Sequence, residues 1–140
     1  MTDRRITLSA AIDNLPEAIA FVSSCAGECG LSERRMQDVH LAVEEAVVNI
    51  IHHAYAGGRG DFEIACFSRR DGSLIIEISD KGPPFNVLSA PEPDMDADIA
   101  ERKIGGLGIH LIKKLMDEVD YRYEDYRNIL TLTVSNKRPD

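Results

Sequence analysis

Lys103-Ile104-Gly105-Gly106-Leu107-Gly108-Ile109 is the stretch on which the fold turns. It stands where a long polar loop gives way to Ile109, Ile112, Leu115, Met116 and Val119, whose spacing predicts a helix over 109–119. A glycine-rich turn opening a helix offers several backbone N–H groups and the positive end of the helix dipole to one anion, which is the chemistry of a phosphate cradle. Taken alone, the run fits a plain loop-to-helix junction equally well. What lies upstream has to decide.

Upstream, Ser32 caps a helix predicted to run to about Ala54. From Leu41 to Ile51 almost every residue is apolar all the way round, which places this helix inside the domain. Glu44, Glu45 and Asn49 are the exceptions. Glu45 and Asn49 are four apart and share a face. A lone carboxylate in such a place is costly unless it meets water, a cation or a ligand. The carboxamide supplies a neutral oxygen suited to Mg²⁺, and the carboxylate supplies a base or an anchor for a coordinated water. A helix face reaching solvent at a cleft accounts for the spacing as well. His53 continues the face by another turn, although a lone histidine is more often a hydrogen-bonded filler than a ligand. His52 points about 100° away, which argues against a paired-histidine metal site.

Asp80 ends the predicted strand Leu74-Ile75-Ile76-Glu77-Ile78-Ser79-Asp80 and alternates onto the side of Leu74, Ile76 and Ile78, the inward side. Followed by Lys81-Gly82, an inward carboxylate can accept from an exocyclic amine such as adenine's; a turn aspartate bonding its own backbone is the alternative. Asp94, Asp96 and Asp98 have calcium-loop spacing, but Ile99 stands where that loop needs glycine and Gly105 where it needs glutamate.

The remaining segments supply the architecture. A strand is predicted over 4–11, then a helix opened by Asn14 and Glu17 in a capping box, with Leu15, Ala18, Ile19, Val22 and Ala26 as its buried stripe. Gly57 to Gly60 forms a turn, and strands over 62–69 and 73–79 are joined by Asp71-Gly72, a two-residue hairpin signal. The proline-rich, acidic loop 81–104 has no core-forming pattern, and strands near 121–124 and 129–135 end the chain. The order β, α, α, β, β, loop, α, β, β predicts an α/β two-layer sandwich with a mainly antiparallel mixed sheet and helices on one face. One domain, 1–140, fits the length. Cys25, Cys29 and Cys66 lack the spacing of a disulfide framework or zinc knuckle and read as buried thiols. A net charge of −8 opposes nucleic acid binding. Neither a membrane span nor a secretion signal is legible, so a cytoplasmic location is expected.

Buried Glu45-Ala46-Val47-Val48-Asn49, then Asp80-Lys81-Gly82 ending a strand, then a loop, then Gly105-Gly106-Leu107-Gly108 opening a helix resembles the N box and two glycine boxes of the GHKL ATP-binding superfamily (Bergerat fold), which includes gyrase, histidine kinases and MutL. The resemblance covers about 36–134. Within the superfamily the chain is similar to the anti-sigma factor serine-protein kinases, the group containing RsbW and SpoIIAB, most closely from Gly105 to Tyr121. Two departures are visible: Pro83-Pro84-Phe85 follows Gly82 without a second glycine, and Tyr126-Arg127-Asn128 stands where many relatives have a glycine before the last strand.

The resemblance implies an ATP-dependent protein-serine kinase that also holds a sigma factor or other regulatory target inactive, acting as a homodimer on a STAS-domain antagonist. It implies that Asn49 holds Mg²⁺, that Asp80 and Gly82 hold the adenine, and that Gly105, Gly106, Leu107 and Gly108 hold the phosphates. His53 joins the ATP site, Glu45 is the base towards the serine hydroxyl, and 81–104 is the lid. Two other readings are an ATP-binding partner switch without kinase activity and the ATPase domain of a larger assembly.

Overall fold

The computed structural model of the protein describes residues 3–55, 59–89 and 106–136. Along these the elements run β1 (Asp3–Ser9), α1 (Leu15–Glu28), α2 (Glu33–Asn49), β2 (Asp61–Ser68), β3 (Leu74–Asp80), α3 (Gly106–Leu115), β4 (Glu118–Glu124) and β5 (Arg127–Val134). The strands form one sheet in the order β1-β2-β3-β5-β4, and every pairing in it is antiparallel. Strand alternation decides what faces the helices. Ile6, Ile64, Ile78 and Leu130 are successive cross-strand partners. They share one core with Val22 of α1, Val43 and Val47 of α2, and Ile109 and Ile112 of α3. One apolar layer therefore joins one face of the sheet to the helices, as the two-layer expectation requires, and each aliphatic side chain fully buried there contributes roughly 1.5–3 kcal/mol.

Local details correct four expectations. Helix α2 does start on Ser32, whose Oγ accepts the Arg35 N–H at 3.2 Å, but it is not buried all round. It lies between α1 and α3 and turns Leu41, 45% exposed, to solvent. Its apolar run therefore overstates its burial. Asn14 does not cap α1, because its backbone is helical (φ −92, ψ −2) where a capping side chain needs an extended one. Its Nδ2 donates instead to Ser9 O and Ser9 Oγ, at 2.9 and 2.8 Å. The β2–β3 hairpin is not closed by two residues: Arg69 N donates to Ser73 O at 2.9 Å, leaving the three-residue loop Arg70-Asp71-Gly72 with Gly72 at φ +89.

Helix α3 spans Gly106–Leu115 and not 109–119. By Asp117 the chain has already joined the sheet, its N–H donating to Thr133 O at 2.9 Å, and Val119 pairs with Leu132 on β4. The apolar character of Val119 thus belongs to a strand's period of two. Arg35 fixes this junction. It is 3% exposed, and its Nε donates to Ser135 O at 2.8 Å, Nη1 to Asp38 Oδ2 at 2.6 Å and Leu115 O at 3.0 Å, and Nη2 to Asp117 Oδ1 at 2.9 Å. One guanidinium joins the start of α2, the end of α3 and the ends of β4 and β5.

Of the three thiols, Cys25 and Cys66 are buried as expected, and burial with the adjacent Cys25 pushes the Cys66 thiol up. Cys29 is only half-buried, its Sγ donating to Gly72 O at 3.3 Å. No helix among the described residues is long and apolar enough to cross a membrane.

Candidate functional site

At one end of the helix-facing side of the sheet, α2, β3 and β5 leave a pocket open to solvent. Ala46, Ile50, Ile78 and Leu130 give it apolar walls, and Asn49 and Asp80 supply polar groups. Helix α2 reaches the pocket through a π turn, Ile50–Ala54, which carries both histidines. Such turns recur at functional sites because they re-aim side chains within a helix.

Asp80 is buried at the end of β3. Its Oδ1 accepts from Gly82 N at 2.9 Å and from Asn128 Nδ2 at 3.0 Å. The local turn bond to the residue two ahead is therefore made, and Asp80 also lines the pocket. Gly82 is required by contact, since a Cβ there would come within 2.6 Å of Ala54 O and 2.9 Å of Ala54 Cα, both rigid backbone atoms.

His53 lines the pocket and stacks on Phe85, with ring centroids 5.6 Å apart and planes 14° from parallel. Burial, reinforced by His52, pushes its ring below the ordinary histidine range. Its Nε2 is buried with no hydrogen-bond partner among the described residues. His52 is exposed, as its position on the helix predicts.

Glu45 is not in the pocket wall. One turn of α2 before Asn49, its carboxylate abuts α3, where a Cβ at Gly108 would lie 2.6 Å from Oε2. Burial, with the Glu44 charge second, raises the Glu45 carboxyl above the usual range. Gly106 opens α3 and Leu107 follows in it. Gly105 lies outside the described residues, as do 90–104 of the expected lid, Asp94, Asp96 and Asp98 among them, and the turn glycines Gly57 and Gly58. The structure thus gathers Asn49, His53 and Asp80 around one pocket, with Gly82 behind it and Glu45 beside the first turn of α3.

Sequence reasoning passed over Asn128, which is buried and pairs with Asp80 across β3 and β5. Its Oδ1 accepts from Phe85 N at 2.9 Å and Tyr121 Oη at 2.5 Å, and its Nδ2 donates to Asp80, Pro83 O and Gly82 O. The signal was present in the departure Tyr126-Arg127-Asn128. Without glycine there, the hairpin closes with Asp125 and Tyr126 at φ 53 and 62, the paired left-handed geometry of a tight two-residue turn.

Among the described residues no group of three or more His, Cys, Asp or Glu side chains could hold a metal. The donors present fit a cation of the Mg²⁺ type, which takes one or two protein oxygens and completes its shell with phosphate oxygens and water. Asn49 is such a donor on the pocket wall.

Residues 8–134 match the family described as histidine kinase-like ATPase domain. The chain is 34% identical over 116 residues to serine-protein kinase RsbW of Halalkalibacterium halodurans, covering 80% of this chain and 70% of that protein. It is 29% identical over 122 residues to serine-protein kinase RsbW of Listeria monocytogenes serovar 1/2a, covering 84% and 77%. In fold it is similar to the crystal structure of the RsbU and RsbW domains of Rv1364c from Mycobacterium tuberculosis, with a TM-score of 0.69 at 22% identity. That match takes in 99% of this chain and 34% of the solved one, so the chain spans about a third of that protein's length.

Proposed function

The chain belongs to the histidine kinase-like ATPase domain family and to its RsbW serine-protein kinases, and on that premise we propose that it is a cytoplasmic, ATP-dependent protein-serine kinase and anti-sigma factor. Its substrate would be a serine on a STAS-domain antagonist, and its other partner a sigma factor or comparable target. It would act as a homodimer.

The observation that carries this reading is the convergence of Asn49, His53 and Asp80 on one pocket, with Glu45 seated against the helix opened by the glycine run. Asp80 accepts the adenine amine, and Gly82 keeps the strand exit close to the π turn. The N–H groups from Gly105 to Gly108 face the phosphates at the positive end of α3. His53 offers its unpartnered Nε2 to the nucleotide. Asn49 holds Mg²⁺, which when bound neutralises charge on the phosphate oxygens. Glu45 takes the proton of the serine hydroxyl as its oxygen attacks the terminal phosphorus and ADP leaves. A carboxyl raised by burial is the better base near neutral pH. Residues 81–104 form the lid.

Incubation with terminally labelled Mg·ATP and a STAS-domain protein tests the proposal. Label on a serine of that protein is expected. Nucleotide binding without transfer would make the chain a partner switch only, and release of labelled phosphate to water alone would make it an ATPase.

A further inference from the structure

The carboxamide of Asn128 is saturated on both sides, and its partners fall into two groups. On one side is Asp80, whose Oδ1 takes an N–H from Nδ2 at 3.0 Å. On the other is the segment leaving β3: Pro83 O accepts from Nδ2 at 2.9 Å, Gly82 O lies 3.3 Å from it, and Phe85 N donates to Oδ1 at 2.9 Å. Phe85 in turn stacks on His53. Tyr121 from β4 donates to the same Oδ1, which fixes which end of the carboxamide faces which way.

We infer that Asn128 is a positioning residue that makes base recognition by Asp80 and placement of the Gly82–Phe85 segment a single arrangement. The inference rests on the proposed ATP site. Two donors, Gly82 N and Asn128 Nδ2, converge on Oδ1, so that oxygen is held as an acceptor and the carboxylate is presented to the pocket in one orientation. A base carrying an amine at that point finds an acceptor; a base carrying a carbonyl meets oxygen with oxygen. If Asn128 is removed, Asp80 loses one of the two bonds that orient it, and Phe85 loses its backbone tether beside His53. Selectivity between amine and carbonyl, and not only affinity, should therefore depend on a side chain that need not touch the base.

The test is the ratio of ATP to inosine triphosphate affinity, since these two differ only at the six-position, amine against carbonyl, and at the adjoining ring nitrogen, which gains a proton with the carbonyl. In the unmutated protein ATP should bind at least tenfold more tightly. In Asn128→Ala the ratio should fall severalfold through weaker ATP binding, with inosine triphosphate little changed; Asn128→Ser, which keeps a hydroxyl on β5, should fall between. A purely structural role would weaken both nucleotides in step and leave the ratio where it was, which would overturn the inference. Should either variant fail to fold, hydrogen exchange in the unmutated protein decides: the Phe85 amide should be protected without nucleotide, and exchange there at the rate of an open loop would overturn the inference. Failure of the unmutated chain to bind ATP would instead overturn the proposed function, and this inference with it.

Discussion

Glu45 and Gly108 face each other across the α2–α3 interface, the Oε2 oxygen lying 2.6 Å from where a side chain at 108 would begin. A methyl group there would approach that oxygen to 2.6 Å, far inside van der Waals contact. The encroached atom is the end of a flexible side chain, so the carboxylate can swing aside and the fold can stay. Gly108→Ala should therefore keep the thermal transition within a few degrees while lowering phosphotransfer by about 100-fold, the scale expected when a reacting group is misplaced by about 1 Å. Steady-state transfer assays beside a melting curve check it. Unchanged transfer would mean that Glu45 does not act from this position.

Asp80→Asn is close to isosteric. The amide can keep its oxygen on Gly82 N and Asn128 Nδ2, which leaves an NH₂ facing the pocket where an acceptor stood. A donor then meets the adenine amine. One buried polar contact left unmade costs about 1–3 kcal/mol, so ATP should weaken by roughly 5- to 150-fold. GTP, with a carbonyl at that point, should bind the unmutated protein poorly and gain relative to ATP in the variant. Calorimetry with both nucleotides reads the effect. Equal competition by GTP and ATP in the unmutated protein would reduce Asp80 to a turn residue.

The unequal legibility of these features in the sequence has physical causes. Asp80, Asn49 and His53 were readable because each depends only on the period of its own element, two for a strand and about four for a helix. The antiparallel two-layer architecture followed from hairpins and from which segments carry an apolar face. Asn128 was not readable, because its partnership with Asp80 depends on the register of β3 on β5, which brings together residues 48 apart in sequence. Val119 misled for a related reason: one apolar residue after a helical run fits either period until its hydrogen-bond partner is known. Asn14 misled because a capping sequence acts only if its backbone is extended.

Arg35 was equally hidden, since a lone arginine in a helix's first turn reads as solvent-facing. In the structure it satisfies two carbonyls and two carboxylates at once. Removing one member of a buried charge network costs about 3–5 kcal/mol, because the partners are left uncompensated. That is a large part of the 5–15 kcal/mol typical of a domain. Arg35→Ala should lower the urea midpoint accordingly. Arg35→Lys should recover only a part, since an ammonium cannot span the same four acceptors. A cost below about 1 kcal/mol for Arg35→Ala would place the network in the class of weak surface pairs.

Glu45 should give stability and activity opposite dependences on pH. Burial and the Glu44 charge raise its carboxyl in the folded state, so between the ordinary glutamate value, about 4.3, and the raised one the native protein holds a proton that the unfolded chain has released. Where the native state binds more protons, stability falls as pH rises. Phosphotransfer needs the unprotonated base and should climb through that same interval to a plateau. His53, held low by burial and by His52, acts on stability with the other sign: below about 6.5 the unfolded chain takes up a proton first, and stability falls as pH falls. Comparison with Glu45→Gln isolates the glutamate. The amide should lose transfer by about 10²- to 10⁴-fold, the usual worth of a general base, while still binding Mg·ATP. Its stability should no longer fall with rising pH through the Glu45 interval, leaving the histidine slope alone. Transfer by Glu45→Gln at the unmutated rate would remove Glu45 as the base, and a stability difference from the unmutated protein that does not vary with pH would mean that its carboxyl titrates as in the unfolded chain.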